Sequence, residues 1–429
     1  MKAQGGKLCM KKVEYAAGFL VILCVVIGGK IFLGSSDLYF RLLIGAGLGY
    51  TLSRAYTGFA GSVYRAYKTG STRLMRTMTL MFLITAFLTA AFLFGSDPAS
   101  YNLWINPINL GLIIGAFLFG FGMSLSECCA TGVLTIFPSA LPKAFITLFF
   151  FGLGVFLGFP IQRTASWVND SWFSTEVGLK LAGGVFLPDL FKGDGFGGYL
   201  GAILITTLFS GIVVYACYTY EKHRIETNTY TGHPLEIMQE QLKPMNAKTF
   251  KLFSAQTYEH IFVKPWTLRE GAVGLALLFM FLMGVTKAGW GASTPFGIWV
   301  GKLFMLFGMS PESIANFTHM PADTFTLPFF RHGASVQNFG ILVGAFIYLL
   351  TAGQFVQAFK SGLRMRKKEA AVFALGGICM GLGTRLANGC NVGALYSPIA
   401  NLSLSGWIFL VFMVAGGILS CKIRGKITE

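Results

Sequence analysis

Apolar runs of about 20 residues recur along the whole chain and constrain its fold more than any other feature. Each run is long enough to cross a hydrocarbon core of roughly 30 Å as an α-helix. We therefore predict an all-α polytopic membrane protein. The predicted spans are 14–33, 39–56, 77–95, 108–125, 141–160, 197–218, 267–286, 295–309, 336–357, 370–388 and 404–421.

Composition and charge support this class. The 429 residues are 54% hydrophobic and only 12% charged, whereas soluble domains carry about 25% charged residues. The net charge of +16 comes from cations at the ends of apolar runs, where the positive-inside rule places them, so no nucleic-acid partner is expected. The lipid bilayer is the expected surrounding. A polar stretch, 219–265, predicts a cytoplasmic linker between membrane halves 1–218 and 266–429.

The distribution of cations predicts the orientation in the membrane. Two basic clusters, within 54–76 and 360–368, are expected on the cytoplasmic side together with both termini. The segment 96–108 has no Lys or Arg and should face outward. We expect a multi-pass protein of a prokaryotic inner membrane. In this orientation 267–286 and 295–309 cannot both cross fully, so a half-span is predicted at the helix-breaking residues 289–295.

Two short stretches look like copies of one another. One is Gly-Met-Ser-Leu-Ser-Glu-Cys-Cys-Ala-Thr-Gly at 122–132, and the other is Gly-Thr-Arg-Leu-Ala-Asn-Gly-Cys-Asn-Val-Gly at 383–393. In both, a Leu precedes a Cys by four residues and a Gly follows that Cys by three. The predicted orientation makes the two copies antiparallel, as in transporters with inverted repeats whose broken helices meet near the bilayer midplane. The sequence therefore predicts two halves that meet at a central waist.

The duplicated cysteines, Cys129 and Cys390, are the first candidates for a substrate site. A thiol is a weak donor and a polarizable acceptor, and weak sites in series suit permeation because tight binding would retain the substrate. A broken helix also leaves backbone N–H groups free to hold an anion. Cys128 is equally compatible with packing and with function. Polar neighbours complete the candidate set: Thr131, Asn391 and Arg385.

Other residues have simpler interpretations. Arg54 is expected to snorkel to the cytoplasmic surface, and Arg385 is expected to guide anions or to fix the motif. Glu127 is expected to be structural, paired, or a proton carrier. The tryptophans at 104, 167 and 172 are expected to be interfacial anchors. No CxxC motif or Cys/His cluster is present, so neither a metal nor a cofactor is predicted.

The Cys390 motif, followed by Ile399-Ala-Asn-Leu-Ser-Leu-Ser-Gly-Trp407, resembles the YeeE/YedE-type sulfur transport family. The Cys129 motif resembles that family's other Leu-x-x-Gly-Cys-x-x-Gly element, with Cys128 where Gly is commoner. The resemblance covers roughly 40–160 and 290–425. It implies two pseudo-symmetric halves with a narrow waist, import of thiosulfate or related sulfur species, and in some members a link to selenium metabolism.

The same resemblance assigns roles to single residues. Cys129 and Cys390 match the two waist cysteines, which are thought to pass the substrate by thiol hydrogen bonds. A third family cysteine follows an Arg-x-x-Phe-like element, and here Gly58 stands in that region without a thiol. Thr57 is the candidate for a hydroxyl at the entrance instead. A cytoplasmic sulfur-carrier protein is the implied protein partner.

We therefore predict a transporter that imports thiosulfate or a related small sulfur or selenium anion, and not an enzyme. Two alternatives remain open at this point. One is a membrane thiol oxidoreductase that uses Cys128 with Cys129, or Cys390, although adjacent cysteines are a poor disulfide pair. The other is a passive channel for small anions.

Overall fold

The computed structural model describes residues 2–241, 251 and 254–428, and the side chains of 2–10 and 426–428 are outside the description. The middle of the predicted linker, 242–250, therefore lies outside the described residues. The first half of the described chain contains α1 Lys2–Leu23, α2 Gly29–Leu33, α3 Ser36–Ala55, α4 Gly61–Thr69, α5 Arg73–Leu93, α6 Leu110–Ser126, α7 Ala130–Ile136, α8 Leu141–Thr164, α9 Ser166–Asn169, α10 Glu176–Lys180 and α11 Tyr199–Glu226.

The second half is built in the same way from long helices joined by short ones. Its helices are α12 Pro234–Glu240, α13 Ala255–Tyr258, α14 Leu268–Thr286, α15 Thr294–Leu306, α16 Pro311–Thr318, α17 Asp323–Thr326, α18 Gly333–Thr351, α19 Phe355–Ser361, α20 Lys367–Leu386, α21 Ser397–Ala400 and α22 Leu404–Thr428. Wider turns of π type are Cys24–Gly28, Glu259–Val263 and Asn391–Tyr396, and 3₁₀ turns are Pro98–Ser100, Leu187–Phe191 and Phe329–Arg331.

The prediction of an all-α polytopic membrane protein is confirmed. Among the described residues, nine helical segments are long and apolar enough to cross a membrane. The helix α3 has 20 residues and fills the position of the predicted span 39–56. The helix α15 has only 13 residues, which gives about 20 Å at 1.5 Å per residue. That length is too short for a full crossing and agrees with the predicted half-span.

Glycines set the relative directions of the long helices because they let two backbones approach closely. On α6, Gly115 faces Gly383 of α20 and Gly122 faces Gly376, so these two helices run antiparallel. In contrast, α8 runs parallel to α20, since Gly154 faces Gly381 and Gly158 faces Arg385. Successive glycine contacts also show that α3 and α18 run parallel to each other, and that α6 and α22 run parallel to each other.

The closest of these approaches predicts a stability effect. A methyl group at Gly49 of α3 would lie 1.9 Å from the carbonyl oxygen of Ile341 on α18. We expect Gly49→Ala to reduce the free energy of unfolding by about 1–3 kcal/mol, the range for overpacked interiors. The matched control is Gly211→Ala on α11, where nothing lies within 4 Å of the added methyl. Thermal unfolding of both variants in detergent measures the difference, and equal midpoints would contradict the described packing.

The bundle has two chemically different ends. At the basic end, arginines of 54–76 bind the described part of 219–266, as in the ion pairs Arg65–Glu236 at 3.2 Å and Arg76–Glu221 at 3.0 Å. At the loop end, segments 94–109, 165–198 and 287–293 join by backbone hydrogen bonds. Examples are Asn102 N–H to the Lys287 carbonyl at 2.7 Å and Gly184 N–H to the Ile105 carbonyl at 3.0 Å.

Candidate functional site

The first duplicated motif interrupts a membrane helix at Cys129. Helix α6 ends at Ser126, and Glu127 then adopts a left-handed backbone with φ of 54°. Cys129 is extended, with φ of −114°, and its sulfur accepts the N–H of Gly132 at 3.3 Å as α7 begins. The hydroxyl of Thr131 lies 3.6 Å from the same sulfur. The thiol is therefore held at a helix start by local polar contacts.

The second motif repeats this backbone path. Helix α20 ends at Leu386, and Asn388 has a left-handed φ of 55°. Cys390 is extended, with φ of −91°, and the chain resumes as the π turn Asn391–Tyr396. Glu127 and Asn388 each stand two residues before their cysteine, so the repeat in the sequence is also a repeat in conformation.

The two cysteines come together in the interior of the bundle. Cys129 is 1% exposed and Cys390 is 0% exposed. The two thiol groups are close enough to interact electrostatically, and Cys390 also interacts in this way with the guanidinium of Arg385. Cys390 lies toward the loop end and Cys129 toward the basic end, where the backbone of Ala60 contacts it. The arrangement places two thiols in sequence between the two ends.

Arg385 is a buried cation with neutral partners. It is 4% exposed, and it donates to the Ser293 hydroxyl at 2.8 Å and to the Thr294 hydroxyl and the Gln162 carbonyl oxygen at 3.2 Å each. In the part of the chain that the structure describes, no carboxylate pairs with it. A buried charge without a counter-ion is unfavourable. A nearby anion would therefore offset the charge of Arg385.

Two further predicted residues, Asn391 and Cys128, have different surroundings. Asn391 is fully buried beside Cys390 and donates to the sulfur of Met123 at 3.0 Å, while its side-chain oxygen has no hydrogen-bond partner among the described residues. The thiol of Cys128, in contrast, lies beside the hydroxyls of Ser126 and Thr147. That position favours packing against α8 as the role of Cys128.

Thr57 lies at the basic end rather than near Cys390. It is 2% exposed, its hydroxyl has no partner among the described residues, and its methyl packs on Gly271 of α14. Arg54 does not snorkel, because it is buried and donates to the backbone carbonyls of Lys264 at 3.1 Å and His260 at 2.9 Å. Both residues therefore line the interior of the basic end.

Glu127 is paired. Its carboxylate lies 2.7 Å from the ammonium of Lys143 and 2.7 Å from the guanidinium of Arg424. These contacts join the Cys129 motif to α8 and α22. Of the three predicted interpretations, the structural ion pair agrees with this geometry.

Trp104 packs against the Cys390 motif on its loop-end side. Its backbone has a left-handed φ of 57°, which is uncommon for a bulky residue and indicates local strain. Its ring packs directly on Gly291 and Gly393, where an added methyl would lie 2.0 and 2.1 Å from ring carbons. Asn106 fixes the same loop by donating to the Gly393 carbonyl at 3.2 Å. Trp104 thus packs against the Cys390 motif, in contrast to the expected interfacial anchor.

This packing predicts that Trp104→Ala will expose Cys390 from the loop end. The lost ring leaves space between two glycines that have no side chains to fill it. We expect a water-soluble maleimide to alkylate Cys390 at least about tenfold faster, which corresponds to about 1.4 kcal/mol in the opening equilibrium. The control is Trp172→Ala, since the Trp172 side chain is exposed. Equal alkylation rates in both variants, measured by peptide mass spectrometry, would show that Trp104 does not cover this thiol.

Several site residues were not predicted from the sequence. Gln162 connects Arg385 to the motif, because its amide nitrogen donates to the Asn388 side-chain oxygen at 2.6 Å. Ser293 and Thr294 belong to the predicted half-span, so the glycine-rich break was a signal for their segment but not for their contact with Arg385. In the described residues, no group of three His, Cys, Asp or Glu side chains is placed to hold a metal ion.

An all-α membrane bundle with a buried pair of helix breaks is typical of membrane transport proteins. Residues 54–419 match the sulphur transport family, and the chain belongs to that family. The prediction from the two motifs is thereby confirmed. The chain is a membrane transport protein for sulfur compounds.

Curated relatives are consistent with this assignment. The chain is 24% identical over 382 residues to the thiosulfate transporter TsuA of Escherichia coli, covering 87% of this chain and 91% of that protein. It is 24% identical over 317 residues to TsuA of Spirochaeta thermophila, covering 72% and 76%. It is also 28% identical to the probable transporter YedE of Escherichia coli, but that match covers only 38% of this chain and 39% of YedE.

Proposed function

We propose that the protein imports thiosulfate through a central pathway that runs from the loop end past Cys390 and Cys129 to the basic end. The observation that carries the proposal is the meeting of the two duplicated cysteine breaks beside Arg385, a buried cation without a carboxylate partner. The family assignment and the names of the two TsuA relatives support thiosulfate as the cargo.

The chemistry of thiosulfate suits these residues. It is a small dianion with one soft terminal sulfur and three oxygens. A thiol can donate weakly to that sulfur and can release it again, because a thiol is a weak donor. Arg385 supplies the charge that a dianion needs in a low-dielectric interior. Thr131 and Asn391 place further polar groups beside the two thiols.

An inverted repeat explains why the two breaks meet. Each motif has a residue with a left-handed backbone two positions before its cysteine, and α6 and α20 run antiparallel. In transporters of this kind, broken helices from two inverted halves form the site between them. We assign 1–218 and 266–429 to these halves, although helix α11 continues past the first boundary to Glu226.

The basic end is proposed to face the cytoplasm of a prokaryote, with both termini on that side and the protein in the inner membrane. The basic residues of 54–76 and 360–368 support this orientation. The unpaired hydroxyl of Thr57 then lies at the exit, where the third family cysteine is missing. A cytoplasmic sulfur-carrier protein would receive the cargo there.

Transport of labelled thiosulfate into proteoliposomes tests the proposal. We expect uptake that unlabelled thiosulfate inhibits and that chloride and sulfate leave unchanged, because neither competitor has a soft terminal sulfur. Selenite in the same assay measures preference between sulfur and selenium oxyanions. A chloride current indifferent to thiosulfate would favour the channel alternative. A Cys129–Cys390 disulfide that forms and breaks during turnover would favour the oxidoreductase.

A further inference from the structure

A third break in the membrane helices lies against the second cysteine motif. The segment 287–293 separates α14 from the short helix α15. The hydroxyl of Ser397, directly after the π turn of that motif, donates to the carbonyl of Trp290 at 2.7 Å. At the other end of the segment, the hydroxyl of Ser293 accepts from the guanidinium of Arg385 at 2.8 Å. The segment therefore connects the second motif to the buried cation of the site.

Trp290, in the middle of this segment, carries a buried donor without an acceptor. Its side chain is 0% exposed, and its indole Nε1 has no hydrogen-bond partner among the described residues. The indole N–H of a buried tryptophan usually finds a partner, because a buried donor that lacks an acceptor is unfavourable. An acceptor that arrives with the cargo would satisfy this group.

The Trp290 ring belongs to the packing that connects the two cysteine motifs. Its centre lies 6.2 Å from the ring centre of Tyr396, the last residue of the π turn, and the two rings meet edge to face. Tyr396 also packs on Phe59, with ring centres 6.1 Å apart. Phe59 precedes Ala60, whose backbone contacts Cys129. The indole therefore lies in an aromatic cluster that is in contact with the surroundings of both thiols.

The start of α15 favours an anion at the same break. Its N-cap residue, Ser293, makes no side-chain cap bond to the helix, and the Ser293 hydroxyl binds Arg385 instead. The N-terminus of a helix carries a partial positive charge and N–H groups without intrahelical partners. In transporters with broken helices, such N-termini point at anionic groups of the substrate. The helix dipole of α15 thus adds to the charge of Arg385.

We propose that Trp290 is a further thiosulfate-binding residue, which donates its indole N–H to an oxygen of the bound anion. The inference rests on the proposed function. A charged oxygen is a strong acceptor for an N–H group, whereas the soft terminal sulfur suits a weak, polarizable thiol. The third break then binds the oxygens of thiosulfate, and the two cysteine breaks contact its sulfur.

Thermal unfolding of the purified full chain at increasing thiosulfate concentrations tests this role. Trp290→Phe keeps an aromatic ring against Tyr396 and removes the donor. We expect the dissociation constant of thiosulfate, obtained from the rise of the midpoint with concentration, to increase about tenfold, which corresponds to about 1.4 kcal/mol. Without thiosulfate the midpoint should stay close to that of the wild type, because the variant loses an unsatisfied donor. Trp290→His, which retains a ring N–H, should recover part of the affinity.

The matched control is Trp407→Phe. The Trp407 Nε1 is also buried without a partner among the described residues, but its ring packs on Phe209 of α11, with ring centres 5.4 Å apart. Weaker thiosulfate binding in Trp290→Phe and unchanged binding in Trp407→Phe supports the inference. Unchanged binding in Trp290→Phe, or an equal loss in both variants, would overturn it and would leave the proposed function intact. A wild-type midpoint that thiosulfate does not raise would contradict the proposed function as well.

Discussion

Thiosulfate uptake is expected to fall by about tenfold or more when either Cys129 or Cys390 is replaced by alanine. Both thiols are buried and interact electrostatically on the proposed pathway, and the loss of even one hydrogen bond of about 1.4 kcal/mol corresponds to a tenfold change in rate. The double variant should show no uptake above that of empty liposomes. Initial rates in proteoliposomes with equal amounts of protein measure both effects.

Two other cysteines serve as controls for this experiment. Cys379 lies on α20 outside the motif and is half-buried, and Cys128 lies beside Ser126 and Thr147. We expect Cys379→Ala to retain full uptake and Cys128→Ala to change uptake by less than about twofold. Full uptake in both Cys129→Ala and Cys390→Ala would remove the thiols from the mechanism.

The second large loss of thiosulfate uptake is expected when Arg385 is replaced. Replacement by glutamine removes the positive charge that interacts with Cys390 while keeping a polar side chain. We expect uptake to fall at least about tenfold, in line with the loss of a charged hydrogen bond of about 1.5–3 kcal/mol. Arg385→Lys should retain part of the rate, because it keeps the charge but loses the planar fork that binds Ser293, Thr294 and Gln162 together.

A purely structural role of Arg385 predicts a different result in thermal unfolding with and without thiosulfate. If Arg385 only ties the helices together, Arg385→Gln should lower the thermal midpoint while thiosulfate still raises that midpoint as in the wild type. An anion-binding role requires that stabilisation by thiosulfate disappears, since a ligand stabilises only the state it binds. Arg331→Gln, an exposed change at the loop end, is the control.

Much of the architecture could be predicted from local sequence. Apolar runs of membrane length gave the long helices, because burial in lipid requires internally satisfied backbones. The Gly–Pro break at 289–295 gave a half-span, and the structure has the short helix α15 there. The duplicated Leu-to-Cys-to-Gly spacing gave the two helix breaks, since both motifs carry residues that tolerate non-helical backbone.

Contacts between distant segments could not be predicted. Nothing local in Gln162 indicates that it bridges Arg385 and Asn388, since that contact depends on α8 packing parallel to α20. The sequence predicts that Trp104 is an interfacial anchor, because its loop is flanked by membrane helices. Its fit onto Gly291 and Gly393 appears only once three separate segments are brought together. Arg54 likewise finds carbonyl partners more than 200 positions away.

The central claim is that thiosulfate passes in contact with Cys129 and Cys390. The most direct measurement uses a chain in which the other six of the eight cysteines are alanine, and follows maleimide alkylation of these two thiols by peptide mass spectrometry. We predict that thiosulfate slows alkylation of both residues and that sulfate at the same concentration does not. Alkylation that proceeds at the same rate with and without thiosulfate would contradict the account.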